Sequence, residues 1–251
     1  MARTNPIVVA LSISLALGGS ALAKGVPANI TKALTDPARP AADKARDVAR
    51  HPGELLAFGG VKPGAKVADF IIGGGYFTRI LSAAVGPKGH VTAYQPAEFI
   101  QFQASYGENL KTVSSAYSNL TPLSMSLQSL DLPDGLDLVM TVQNYHDLHL
   151  GPFPKDTAAK VNAEVFKSLK PGGVFLIVDH AATAGSGLAA ADTLHRIDIA
   201  AVKSEVEAAG FKLAGESSML AAAADPHTAN VFDPVIRGKT DQFVLKFVKP
   251  R

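Results

Sequence analysis

Short, almost purely apolar runs alternate along the chain with stretches of helical spacing, and glycine-rich turns divide them. Lys66 to Ile72 (KVADFII) reads as a strand buried on both faces. Gly73-Gly74-Gly75 follows, and Tyr76 to Val85 then places Phe77, Ile80, Leu81 and Ala84 on one helical side. Gly86-Pro87-Lys88-Gly89 marks a turn before a second strand, His90 to Tyr94. Pro96 to about Ser115 is helical in part, and a weak strand is expected near Thr121 to Ser126. Leu136 to Val142 is a strand, and Thr157 to Leu169 is an amphipathic helix ended by Lys170-Pro171-Gly172-Gly173. Val174 to Val178 is the next strand, and Asp198 to Ala209 is a helix stopped by Gly210. Strands beginning at Phe211 and spanning Gln242 to Val248 close the pattern. Strands separated by helices predict βαβ units and a mostly parallel α/β sheet. Only a loop joins the last two strands, so these can pair antiparallel.

The first residues follow a different rule. Met1 to Ala23 carries Arg3, a short apolar run from Ile7 to Leu17, and Ala21-Leu22-Ala23 as an A-x-A cleavage site. That is the layout of a secretory signal peptide, cleaved after Ala23. The run is well short of the roughly 20 residues that span a bilayer. The expectation is a periplasmic or secreted chain with no stable membrane insertion after cleavage. Residues 24–251 then form a single domain, with residues 24–40 as a Pro-rich, extended lead-in. Ala41 to Phe58 carries helix formers, broken near Pro52.

Composition narrows the function classes. The chain has 251 residues, 47% of them apolar, which excludes a disordered protein. The net charge of +2 is dispersed, which argues against a nucleic-acid substrate. With no Cys there is neither a disulfide framework nor a thiolate metal site.

Polar residues concentrate where an open α/β sheet does its chemistry, beyond the carboxyl ends of the strands. The glycine turn after Asp69 lets backbone N–H groups approach a ligand at a helix N-terminus. Two later strands end in Gln143-Asn144-Tyr145-His146-Asp147-Leu148-His149 and in Asp179-His180. A histidine oriented by a carboxylate is the simplest general acid or base near neutral pH. His146, with Asp147, and His180 are the candidate catalytic groups, joined by His195 on the segment after the fifth strand. Tyr76, Asn144 and Tyr145 can shape the pocket. A metal could draw on His146, His149, His180 and Asp179, but no H-x-x-x-H supports one, and no metal is assigned.

Val67-Ala68-Asp69-Phe70-Ile71-Ile72-Gly73-Gly74-Gly75 resembles the first motif of class I S-adenosylmethionine-dependent methyltransferases, an acidic residue followed by spaced glycines. Leu132-Pro133 with Leu136-Asp137-Leu138-Val139 is similar to that family's entry into its fourth strand, and Leu169 to Phe175 to its entry into the fifth. The similarity runs from about Val61 to Val248. Asn144-Tyr145-His146-Asp147, Asp179-His180, Leu194 to Asp198 and Arg237 to Phe243 further resemble an exported, poorly characterised bacterial methyltransferase-like group. The resemblance implies a doubly wound, Rossmann-like sheet of seven strands with the last antiparallel. It implies S-adenosylmethionine as cofactor, held around Asp69, Gly73, Gly74, Gly75, Tyr76, Gln95, Gln128 and Asn144. The chain departs from the family at Ile71, where the first glycine falls. It departs again at Gln95, in place of the ribose-binding acid, and at Gln128, in place of an Asp that meets the adenine. The implied reaction is methyl transfer to a small-molecule acceptor, with a base such as His146 removing the acceptor's proton. Two other classes stay open: a lyase, hydrolase or isomerase using the His/Asp rim of the same fold, and an exported ligand-binding protein without turnover.

Overall fold

The computed structural model describes residues 25–251. The expected leader, residues 1–23, lies outside the described residues.

Seven strands form one sheet in the order β3-β2-β1-β4-β5-β7-β6. They are β1 (Lys66–Phe70), β2 (His90–Tyr94), β3 (Leu120–Leu123), β4 (Leu136–Val142), β5 (Leu169–His180), β6 (Lys212–Ser217) and β7 (Gln242–Val248). The first four pair in parallel, as do β4 and β5. β7 inserts antiparallel between β5 and β6. The seven-stranded, mostly parallel sheet with an antiparallel last strand is therefore as the pattern predicts.

Alternate residues of each strand feed opposite cores. Val67, Val91, Met140 and Val178 pack with α1 (Ala28–Leu34), α4 (Pro52–Gly59) and α5 (Tyr76–Val85). Ala68, Phe70, Val139 and Ile177 face the other way, against α8 (Thr157–Ser168) and α10 (Ile199–Ala208). α1 corrects the sequence reading, which expects an extended lead-in at residues 24–40. Pro27 precedes its first turn, and Ile30 and Ala33, three residues apart, are buried on α5. That one-sided burial outweighs the local excess of proline. α2 (Ala41–Lys44) and α3 (Asp47–Arg50) continue the segment, and α6 (Ala97–Phe102), α7 (Ser105–Ala116) and α9 (Ala191–Leu194) complete the helices named here. Among the described residues no helix is long and apolar enough to cross a membrane.

β5 runs longer than Val174 to Val178, because Lys170 to Gly173 bulges within the strand and does not end it. Gly172 there has φ 78° and donates its N–H to the Lys249 carbonyl.

Candidate active site

A cavity of about 750 Å³ opens beyond the carboxyl ends of β1, β4 and β5. β1 ends at Phe70, and Ile71 turns into the left-handed region with φ 67°. A β-branched residue is strained there by about 1–3 kcal/mol. The N–H groups of Ile71 and Ile72 both donate to the Tyr94 carbonyl, which holds the turn against β2. So the conformation that the family's first glycine would adopt freely is present here, imposed on isoleucine.

The three glycines divide by role. A Cβ on Gly73 or Gly74 would meet no atom within 4 Å, because their backbone faces the cavity. A Cβ on Gly75 would lie 2.6 Å from Cγ2 of Val113, and its φ is 75°. Gly75 is needed for α5 to start against α7 and does not line the cavity.

Behind this turn lie two buried polar side chains. Asp69 accepts the Thr78 hydroxyl at 2.5 Å. Burial pushes its carboxyl up to about 6, although Thr78 and the Arg50 charge pull the other way. Gln95 accepts the Gly73 N–H through Oε1 at 3.0 Å, while its buried Nε2 has no partner. A buried donor left unpaired costs about 1–3 kcal/mol. This one lies behind the glycine turn, next to the Gly73 N–H that Oε1 accepts.

Gln128 sits apart. Its amide bonds Thr157 Oγ1 at 2.6 Å and Lys160 Nζ at 2.7 Å, outside the cavity lining. Tyr76 lines the cavity but is anchored through its hydroxyl, which donates to Asp47 at 2.6 Å. Asp47 also receives both amino groups of buried Arg39. Arg39, Arg46 and Arg50 lie within 5.6 Å of the Tyr76 ring. The segment from α2 to α3 is thereby fastened over one wall. Burial, then Arg46, lowers the Arg50 guanidinium to about 10, which still leaves it charged at neutral pH.

The opposite wall carries the histidines. β4 ends with Gln143 at φ 64°, and a single turn brings His146 and Asp147 to the rim. Asp179, fully buried at the end of β5, accepts the His146 backbone N–H at 2.7 Å and its Nδ1 at 2.8 Å. Nε2 of the same ring is 3.2 Å from Asp147 Oδ1. Asn144 holds the other oxygen of Asp147 at 2.9 Å. His195 follows α9 with φ 53° and brings Nδ1 to 4.0 Å from Asp147 Oδ1. Its ring stands edge-on to His146 at 5.4 Å and to Phe232 at 4.8 Å.

Burial disfavours charge on His146, but Asp179 and Asp147 outweigh it and push the ring up to about 10. In this ligand-free arrangement both ring nitrogens of His146 face carboxylates, which favours the charged form of the ring. Burial also holds His180 down to about 4, and its Nδ1 meets the Thr240 hydroxyl at 2.8 Å. His180 is neutral and lies between this cavity and an adjoining chamber of about 520 Å³ lined by Arg46, Arg50 and Arg237. His195 is lowered by burial and by the His146 charge.

Of the residues expected at the site, Asp69, Gly73, Gly74, Tyr76, Asn144, His146, Asp147, His180 and His195 line one cavity. Gln95 supports it from behind the glycine turn. His149 turns away to Glu205, and Arg196 forms a buried pair with Asp225. The sequence reading missed Arg46, Arg50 and the apolar floor of Phe99, Phe153 and Phe232. The four-residue spacing of Arg46 and Arg50 was a visible signal, but the aromatic residues come from distant segments, Phe99 from α6 and Phe153 and Phe232 from loops.

Comparison with known proteins gives a uniform result for the fold. A SAM-dependent methyltransferase from Aquifex aeolicus superposes with a TM-score of 0.57 at 20% identity, over 88% of this chain and 96% of that one. The chain has the fold of the class I methyltransferases. A TehB-like SAM-dependent methyltransferase from Corynebacterium glutamicum gives 0.53 at 15% identity, over 83% and 95% of the two chains. The [4+2]-cyclase SpnF gives 0.52 at 18% identity, over 84% and 82%. No protein-family model and no curated protein matches the sequence.

Proposed function

We propose that this protein is an exported methyltransferase that uses S-adenosylmethionine to methylate a small molecule. The observation that carries the reading is the turn after β1. The Gly73 and Gly74 backbone faces the cavity without obstruction, and Gln95 Oε1 holds the turn from behind. Unobstructed glycine backbone at the mouth of a cavity of this size fits a nucleoside-bearing cofactor.

When bound, S-adenosylmethionine supplies an electrophilic methyl group. Gly73 and Gly74 would hold it through their backbone, with Gln95 fixing the Gly73 N–H from behind, and Asp69 and Asn144 from either side. The acceptor rests on Phe99, Phe153 and Phe232, which exclude water from the reacting end. The chain's main contribution is then positioning. His195 is the rim imidazole free to receive the acceptor's proton, since His146 is engaged on both ring nitrogens. The leader at residues 1–23 supports action outside the cytoplasm. The likeness to SpnF keeps another chemistry on the same cavity as the competing outcome.

Calorimetric titration with S-adenosylmethionine and S-adenosylhomocysteine tests the proposal. Both should bind the wild-type chain one to one, and Gly74→Val should abolish binding while leaving the fold intact. Absence of binding to wild type, or unchanged binding to a folded Gly74→Val, refutes it.

A further inference from the structure

We infer that His146, Asp147 and His195 form a binding site for a divalent transition-metal ion, open to the cavity. One ligand atom from each lies within 4.8 Å of the other two. The inference stands on donor geometry and is independent of the cofactor proposed above.

Each donor is aimed by a second group, as metal ligands are. Asp179 takes both Nδ1 and the backbone N–H of His146, which commits that ring to present Nε2. Asn144 takes Oδ2 of Asp147 and leaves Oδ1 facing Nε2 at 3.2 Å. His195 is fixed by its left-handed backbone and by its edge-on contacts with His146 and Phe232. Bonds of about 2.1 Å in a tetrahedral shell set ligand atoms about 3.4 Å apart. Nε2 of His146 and Oδ1 of Asp147 already meet that separation. The His195 ring, with Nδ1 at 4.0 Å from Oδ1 and a ligand atom within 4.8 Å of those of the other two residues, must approach by about 0.5–1.5 Å. Its side chain is only partly buried and has the room to do so.

Charge points the same way. Asp147 and Asp179 are buried, and among the described residues neither is paired with a Lys or Arg. The two carboxylates balance a dication that takes the place of the proton on His146 Nε2. Two imidazoles and one carboxylate favour Zn²⁺, Co²⁺ or Fe²⁺ over Mg²⁺ or Ca²⁺, which prefer all-oxygen shells. The three protein ligands lie on one side, so the remaining positions face the space assigned to the acceptor. A bound ion would occupy the His195 lone pair and would itself make an acceptor oxygen more acidic.

The test uses the tag-free full chain, stripped with a chelator and titrated with Zn²⁺, with Mg²⁺ as a comparison. Co²⁺ reports the ligand field through its visible absorption. Wild type should take up about one Zn²⁺ and bind Mg²⁺ far more weakly. His195→Ala should lose at least about 100-fold in Zn²⁺ affinity, and Asp179→Asn about 10–100-fold. His227→Ala, which removes a distant surface His–Asp pair, should bind as wild type does. Thermal unfolding confirms that each variant is folded, and His195→Ala carries the test if Asp179→Asn is not. The inference is overturned if wild type binds no Zn²⁺ stoichiometrically, or if folded His195→Ala binds it equally well. Titration of the same samples with S-adenosylmethionine separates the two readings: binding of the cofactor without Zn²⁺ removes only the metal site, and the reverse removes only the methyl donor.

Discussion

Asp69 lies in the most sequence-recognisable part of the site and should lower the stability of the protein that carries it. Its carboxyl is buried at 4% exposure, and burial lifts it from 3.8 to about 6. The folded chain therefore keeps this proton up to about pH 6, whereas the unfolded chain releases it near pH 4. Between those values the folded state binds more protons, so stability falls as pH rises through the window. Above it the charged carboxylate costs about 3 kcal/mol, at about 1.4 kcal/mol per tenfold change in proton affinity. Asp69→Asn removes that charge, and its amide oxygen can still accept the Thr78 hydroxyl. The variant should be more stable than wild type by up to about 3 kcal/mol near pH 8, equivalent to roughly 6–12 °C in Tm, and equal to it near pH 4. Thermal unfolding at both pH values, without ligand, measures the difference. A variant less stable than wild type near pH 8, or a gain of the same size at both pH values, would refute the reasoning. Weaker binding of S-adenosylmethionine in the same variant would show why a destabilising acid sits there.

Two further substitutions separate structural from ligand-facing residues. Gly75→Ala should cost about 2–4 kcal/mol in urea unfolding, because its methyl group meets Val113 and its backbone is left-handed. Arg196→Met strands Asp225, which Arg196 grips through two bonds of 2.8 and 3.0 Å, and should cost about 3–5 kcal/mol. Arg196 also holds the Ala229 carbonyl, so the loop carrying Val231 and Phe232 should become cleavable by protease in that variant.

The core strands were legible because each is a compact, largely apolar run, with glycines after β1 and just before β2 and β4 marking the turns. β2, β4 and β7 and helix α5 begin and end where the pattern places them. α1 was not, since Pro27, Pro37 and Pro40 mask a helix whose stability comes from Ile30 and Ala33 on α5. At the site, the glycine turn and the Asn-Tyr-His-Asp run announce themselves by composition. His195, nearly fifty positions later, was expected at the same rim from its place after the fifth strand, but its close approach to His146 and Asp147 is not written in the pattern. That depends on a left-handed residue after a four-residue helix, a feature with no signature in a non-glycine side chain. The pairing of His146 with Asp179 also spans distant positions, and it holds the ring toward its charged form.

The place of β7 has a consequence for how the chain comes to be folded. The last-made strand is an interior one, between β5 and β6. Until Gln242–Val248 is available, β5 keeps an open edge and β6 has no neighbour in the sheet. A nascent or truncated chain can assemble at most the five strands from β3 to β5, and it displays the unpaired edge of the longest strand, a template for pairing with another chain. Sheet closure thus waits for the last of the described strands.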